Sequence, residues 1–242
     1  RLYRKVKERR DRNRAEAGYE DWLLGQLPDR EETERQRSVE FAFSPLISIL
    51  VPAYETPELF LRQMIDSVLQ QSYGRLELCI ADGSPSDGVE RIAEAYARKD
   101  SRVRYRKLDE NLGISGNTNA ALGEASGAYV GLLYHDDLLL PGALFEIVRA
   151  LNDGEPADAV YTDEDKLDFK GEYLRSNNYI CHFFVVKREI ALEAGGFRQE
   201  FDGAQDHDFI FRCTEKADKI LHVPRVLYSW RCHASSTAGN PE

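Results

Sequence analysis

The chain has 242 residues, 42% of them hydrophobic, and a formal net charge of −10, which suffices for one large core with an appendage. No apolar run approaches the roughly 18 residues of a membrane-spanning helix and the start is too charged for a signal peptide, so a soluble chain is expected, and scattered cysteines of the reduced, core type predict a cytoplasmic one. The acidic balance argues against broad nucleic-acid binding, which needs Lys and Arg to neutralise phosphates.

The charge is unevenly spread. Residues 1–14 (RLYRKVKERRDRNR) carry eight Arg or Lys against Glu8 and Asp11, and read either as a solvated helix or as an attachment to an anionic membrane face. Tyr19, Trp22, Leu23 and Leu27 follow at helical spacing and predict a short amphipathic helix packed on the body. Residues 28–40 (PDREETERQRSVE) are polar, with a Pro start, and predict an exposed helix or linker. Residues 1–44 are thus expected to form a helical arm and linker, and residues 45–242 the main domain. A start at Arg1 and a polar end suggest a piece of a longer protein.

From residue 45 strand and helix patterns alternate. LISILVP (46–52) reads as a strand, and Leu61, Met64, Ile65, Val68 and Leu69 form a helical stripe within 58–71. LELCIA (76–81) is a second strand, after which Ser84 is expected as a helix N-cap with Pro85 at the first helical position. RVRYRKL (102–108) predicts a third strand, ISGNTNAALGEAS a small-residue helix, AYVGLLY (128–134) a fourth strand, and Leu144, Ile147, Val148 and Leu151 the next helix. The alternation predicts an α/β fold, a Rossmann-like and mainly parallel sheet flanked by helices.

In such a sheet ligands bind outside the carboxyl ends of the strands. AYE (53–55), ADGSPSDG (81–88), DENLG (109–113) and HDD (135–137) all fall there. Asp, Gly, Asn and Ser populate turns in any protein, so it is their convergence that suggests a ligand cleft. The first strand–helix turn lacks the G-x-G-x-x-G fingerprint and no phosphate-loop motif occurs, which disfavours hydride transfer and loop-bound nucleotide hydrolysis. Asp136 and Asp137 end an apolar run, and adjacent carboxylates beside a core require compensation. Oxygen ligands suit Mg2+ or Mn2+, which keep several waters and take a substrate phosphate. The four cysteines show no C-x-x-C spacing, and the pairs Cys181–His182 and Cys232–His233 do not match a zinc site.

Three blocks, ISILVPAYETPELFLRQMIDSVLQQSYGRLELCIADGSPSDG, NLGISGNTNAALGEASGAYVGLLYHDD and GAQDHDFIFRCTEKADKILHVPRVLYSWRCHASST, together resemble the family 2 glycosyltransferases with the GT-A fold over roughly residues 45–240. Within that family the chain is similar to bacterial members that build O-antigen and other surface polysaccharides of the cell envelope. The resemblance implies a metal-dependent, inverting hexosyl- or deoxyhexosyltransferase. Its donor would be a UDP- or dTDP-type nucleotide sugar and its acceptor a glycan or lipid-linked hydroxyl, with peripheral contact to the inner face of the membrane through residues 1–14.

Carried over by position, Pro52, Ala53, Tyr54 and Glu55 match the stretch that cradles the base, Asp82 the acid that recognises a uracil-type ring, and Asn117 the donor-side lining. Asp136 matches the metal-binding acid of the D-x-D motif and Asp137 the acid directly after it, while Tyr134 stands where the motif has its first Asp. Asp206 aligns with the general base and Asp208 is the neighbouring choice, although an acid at a helix start is also favoured by the dipole alone. Arg231 and His233 are placed to reach the diphosphate, with His233 a further metal ligand. Residues 160–188 are expected to shape the sugar and acceptor pockets; relatives have a longer segment between the positions of Asp168 and Asn177. Tyr134 also motivates a second reading, a nucleotide-sugar-binding module of a larger polysaccharide-assembly protein with weakened turnover. A nucleotidyltransferase is a third, for which a basic loop is wanted where AYETPE is acidic.

Overall fold

The computed structural model describes residues 18–19, 21–155, 157–167, 173–175, 180 and 182–231. The basic stretch 1–14, Cys181, Cys232, His233 and most of 168–177 lie outside the described residues.

The runs of apolar residues become strands buried on both faces. β1 (Ile47–Ala53) and β2 (Leu76–Asp82) are buried along their whole length, and β3 (Val103–Lys107) and β4 (Tyr129–Leu132) extend the same layer. Their alternate residues feed two separate cores, as the two-residue period of a strand requires. Ile47, Ile49, Val51, Leu76, Leu78 and Ile80 join one cluster with α2 (Glu58–Leu69), α3 (Gly88–Ala97) and α5 (Ala143–Asn152). Leu50, Cys79 and Ala81 join the other with α4 (Gly113–Glu124), α6 (Arg188–Glu193) and α7 (Gln205–Thr214). Each fully buried Ile or Leu in these strands contributes about 1.5–3 kcal/mol over leaving it exposed. Cys79 and Cys213 are buried thiols within the second core.

The remaining strands are β5 (Leu138–Leu139), β6 (Ala159–Leu167), β7 (Tyr173–Arg175), β8 (Phe184–Lys187) and β9 (Ile220–Arg231). The sheet order is β3-β2-β1-β4-β8-β6-β9-β5, with β7 paired to β6. β3, β2, β1 and β4 are mutually parallel. Beyond β4 the directions mix: β8 is antiparallel to both β4 and β6, β9 is parallel to β6, and β5 is antiparallel to β9. The parallel half is the one that strand–helix alternation encodes. The chain turns from β1 to β2 on one side and returns to β4 on the other, which makes the β1/β4 crevice the switch point where ligands bind in open α/β sheets.

One local expectation is corrected. Ser84 is not a helix cap: α3 starts only at Gly88, because residues 83–87 are pinned to the neighbouring strand ends. The Ser84 hydroxyl accepts from the Glu55 N–H at 2.7 Å, and Lys107 donates to the carbonyls of Ser84 and Ser86. Residues 28–40 contain the mostly exposed helix that their pattern predicts, tied to the body at both ends. Asp29 caps α1 (Arg30–Arg37) by accepting from the Glu32 N–H, buried Gln36 accepts from the Ser72 hydroxyl at 2.6 Å, and Phe41 and Phe43 pack on Phe145 and Tyr129. Upstream, Leu23 is buried while Trp22 stays half exposed and stacks on Tyr19. Among the described residues no helix is long and apolar enough to cross a membrane.

At the edge away from the crevice, Glu77 sits buried within β2. It accepts from the hydroxyls of Ser48 and Ser126 and from the Ser126 and Gly127 N–H groups, and pairs with Arg104 at 3.0 Å. Burial pushes this carboxyl up, but those donors outweigh it and hold it below its ordinary value. Gly127 is required there, since a Cβ would lie 2.6 Å from the Leu46 carbonyl.

Candidate active site

β1 and β4 deliver their ends to the same crevice. After β1 the backbone turns sharply at Glu55, which has φ 46°, the left-handed region that a non-glycine residue enters only when its surroundings compel it. The Ser86 hydroxyl and N–H hold the Glu55 carboxylate, while Tyr54 is left 46% exposed. After β4, residues Tyr134 to Asp137 make the tight turn into β5. Together with the starts of α4 and α7 these segments enclose a cleft of about 820 Å3.

Pro52, Ala53, Tyr54, Glu55, Asn117, Asp136, Asp137 and Asp206 all line this cleft. Asn117 is placed from behind: its amide oxygen accepts from the Leu112 N–H and its amide nitrogen donates to Asn111. Gly83 permits this approach, because a Cβ at that position would lie 2.8 Å from the Asn117 amide nitrogen.

Three other candidates face elsewhere. Asp82 is fully buried behind the cleft, accepting from the Tyr105 hydroxyl, the Lys107 ammonium and the Ser84 N–H, and so ties β2 to β3. Asp208 is bound by Arg198 and Arg212, whose guanidinium groups pull its carboxyl down to about 2. Residues two apart on a helix point about 200° away from each other, so Asp208 anchors the outer side of α7 while Asp206 faces the cleft. Arg231 lies behind the turn: its guanidinium covers the Phe60 ring at 4.3 Å and its Nε donates to the Asp136 carbonyl. His233 lies outside the described residues.

The two adjacent acids divide their tasks. Asp137 is 1% exposed, and its oxygens accept from the Tyr228 hydroxyl and from the Arg231 N–H. Burial and then the charge of Asp136 push its carboxyl up to about 8, and its two hydrogen bonds fasten the turn to β9. Asp136 is then the carboxylate of the pair suited to a cation. Mg2+ and Mn2+ fit such a set, since one or two carboxylates plus substrate phosphate and water suffice to hold them. Among the described residues no three His, Cys, Asp or Glu gather into an all-protein metal site.

Tyr134, in the place of the first D-x-D acid, accepts through its phenol oxygen from the Gln205 amide at 2.8 Å and so links the turn to the start of α7. His135 shares a hydrogen bond with Thr56 at 2.8 Å. His182 is the residue that sequence reasoning passed over, seen only as half of a Cys-His pair. Antiparallel pairing of β6 with β8, with Tyr161 opposite Phe184, carries Glu164 alongside it. His182 Nδ1 lies 2.6 Å from Glu164, and its Nε2 lies 3.9 Å from Asp206.

This site lies largely within one recognised stretch, as the Glycosyl transferase family 2 profile matches residues 48–213. The chain belongs to glycosyl transferase family 2. The O-antigen biosynthesis protein RfbC of Myxococcus xanthus is 33% identical over 236 residues, covering 92% of this chain and 18% of that protein. The chain spans about a fifth of the length of the curated relatives that it matches at 33% and 40% identity. Among solved structures, Staphylococcus aureus TarS 1–349 in complex with UDP-GlcNAc superposes with a TM-score of 0.69 at 18% identity, over 81% of this chain and 61% of that one. The mannosyltransferase PcManGT from Pyrobaculum calidifontis, in complex with GDP-Man and Mn2+, gives 0.62 at 18% identity over 86% and 64%. These similarities show the GT-A fold. In this family 2 glycosyltransferase the matched stretch ends at Cys213, in the last turn of α7, whereas β9 follows it and supplies Trp230 to the cleft wall and Tyr228 to the buried Asp137.

Proposed function

We propose that this family 2 glycosyltransferase domain moves a sugar from a nucleoside-diphosphate sugar, UDP- or dTDP-type, to a glycan or lipid-linked hydroxyl. The transfer proceeds with inversion and with Asp206 as general base. The observation that carries the reading is that Asp136 and Asp206, brought from the end of β4 and the start of α7, line one cleft at the switch point of the sheet. A sugar hydroxyl is too weak an acid to attack unaided, so a carboxylate must take its proton as the new bond forms. Asp206 can serve the acceptor in this way while Asp136 serves the diphosphate, and one in-line displacement inverts the anomeric centre.

The Pro52–Glu55 segment supports donor binding: half-exposed Tyr54 offers an aromatic face beside a rigid turn, suited to a nucleotide base. A divalent cation, Mn2+ or Mg2+, held by Asp136 and completed by His233, would neutralise the departing diphosphate as a Lewis acid. The nucleotide sugars carried by the two structural neighbours, and the Mn2+ of one, favour this assignment. The name of RfbC favours a place in bacterial surface-polysaccharide assembly, at the inner membrane face that residues 1–14 would contact.

Tyr134 favours a second reading, a nucleotide-sugar-binding module with weakened turnover, because its phenol is committed to Gln205 where the motif would have an acid. Release of nucleoside diphosphate from a panel of nucleotide sugars with Mn2+, using the native chain and Asp206→Asn, separates the two. Native turnover that falls about 100-fold or more in Asp206→Asn with donor binding retained supports catalysis by Asp206. Donor binding without turnover in the native chain supports the module.

A further inference from the structure

Glu164 and His182 have no part in the roles argued so far, yet they stand directly behind the proposed base. Glu164 Oε2 accepts from the backbone N–H of His182 at 2.9 Å and lies 2.6 Å from its ring Nδ1. A carboxylate only accepts, so this contact assigns a proton to Nδ1 and turns Nε2 toward Asp206 Oδ2, 3.9 Å away. The ring is confined in that direction. It stacks on Tyr228 with centroids 5.6 Å apart, meets Trp230 at 5.0 Å and takes Tyr134 edge-on at 5.5 Å. The Glu164 side chain is fully shielded, an expensive place for a charge unless it is paired.

We infer that His182, anchored by Glu164, is a positioning residue for Asp206, holding its Oδ2 so that Oδ1 is presented to the acceptor hydroxyl. The inference rests on the reading of Asp206 as the base. The 3.9 Å separation exceeds a hydrogen bond by about 1 Å, a gap of the size that closes when substrate completes a site. The charged groups facing the ring are Glu164 from β6, Asp206 from α7 and Asp137 from the turn after β4. Burial opposes a positive charge on His182, but the Glu164 hydrogen bond and these three carboxyl groups outweigh it and raise its pKa above the ordinary histidine value. A second proton, on Nε2, would make that nitrogen a donor toward Asp206.

Steady-state kinetics of His182→Gln and Asp206→Asn, with the nucleotide sugar that the native chain turns over, test the assignment. His182→Gln should lower kcat about tenfold or more with donor KM within about twofold. Native kcat in His182→Gln, or a loss confined to donor KM, overturns the positioning role even if Asp206→Asn is inactive; an active Asp206→Asn overturns instead the base assignment. Should His182→Gln fail to fold, Glu164→Gln must show the same split. Nitrogen-15 NMR of the native chain needs neither variant: both ring nitrogens of His182 should carry protons and the Nε2 signal should shift in Asp206→Asn. An unmoved Nε2 overturns the pairing.

Discussion

Tyr228 of β9 donates its hydroxyl to the buried carboxyl of Asp137 at 2.5 Å, joining the strand near the end of the described chain to the turn that bears Asp136. Removing that donor leaves a shielded carboxyl with one partner fewer. Tyr228→Phe should therefore cost about 1–3 kcal/mol in urea unfolding at unchanged m-value, and weaken metal-dependent nucleotide binding because the Asp136 turn loosens. An unchanged unfolding midpoint would show that the contact adds nothing to stability.

Asp208 provides a pH signature. Its folded pKa of about 2 lies below the ordinary carboxylate value of 3.8, through the hydrogen bonds from Arg198 and then Arg212. For a depressed acid the stabilisation is fully present above the unfolded pKa and is lost as pH falls through the folded one. About 2 kcal/mol should disappear between roughly pH 4 and pH 2. Asp208→Asn should lose that amount at pH 7 and show a correspondingly flatter stability profile below pH 4. The same acid limb in both proteins would refute the ion-pair account.

UDP or another nucleoside diphosphate should raise the melting temperature only with Mn2+ or Mg2+ present. At about 100 times the dissociation constant the stabilisation is roughly 2.7 kcal/mol. Asp136→Ala should abolish the metal-dependent part. Equal shifts with and without EDTA would exclude a cation held by Asp136.

Removal of residues 1–14 should lower flotation on vesicles containing anionic lipid, by about 1 kcal/mol for each basic residue near the surface, and high salt should erase the difference. Flotation that is unaffected at low salt would assign these residues to a solvated helix.

The parallel half of the sheet was legible because fully buried strands and striped helices leave strong local patterns: Ile47 to Ala53 and the Leu61–Val68 stripe are recovered almost residue for residue. Pro52–Glu55, Asn117, Asp136 and Asp206 reach the cleft, since strand ends and helix starts face it by topology. The Ser84 cap failed because Glu55 and Lys107, distant in sequence, compete for the same atoms. Asp208 rested on adjacency to Asp206 and Asp82 on position in the family resemblance, and neither fixes the direction in which a side chain leaves its helix or strand. His182 was invisible since its meaning comes from Glu164 and Asp206, joined to it only by long-range register.

The pairing of β9 with β6 and β5 has a bearing on where this unit can be cut from a longer polypeptide. A boundary drawn at Cys213, where the family match stops, would delete the partner of Asp137, strip one edge of β6 and remove Trp230 from the cleft wall. Any gene rearrangement or engineered fusion that transplants this fold must therefore carry the chain through at least Arg231, or it will transfer the acids without the strand that keeps them in register.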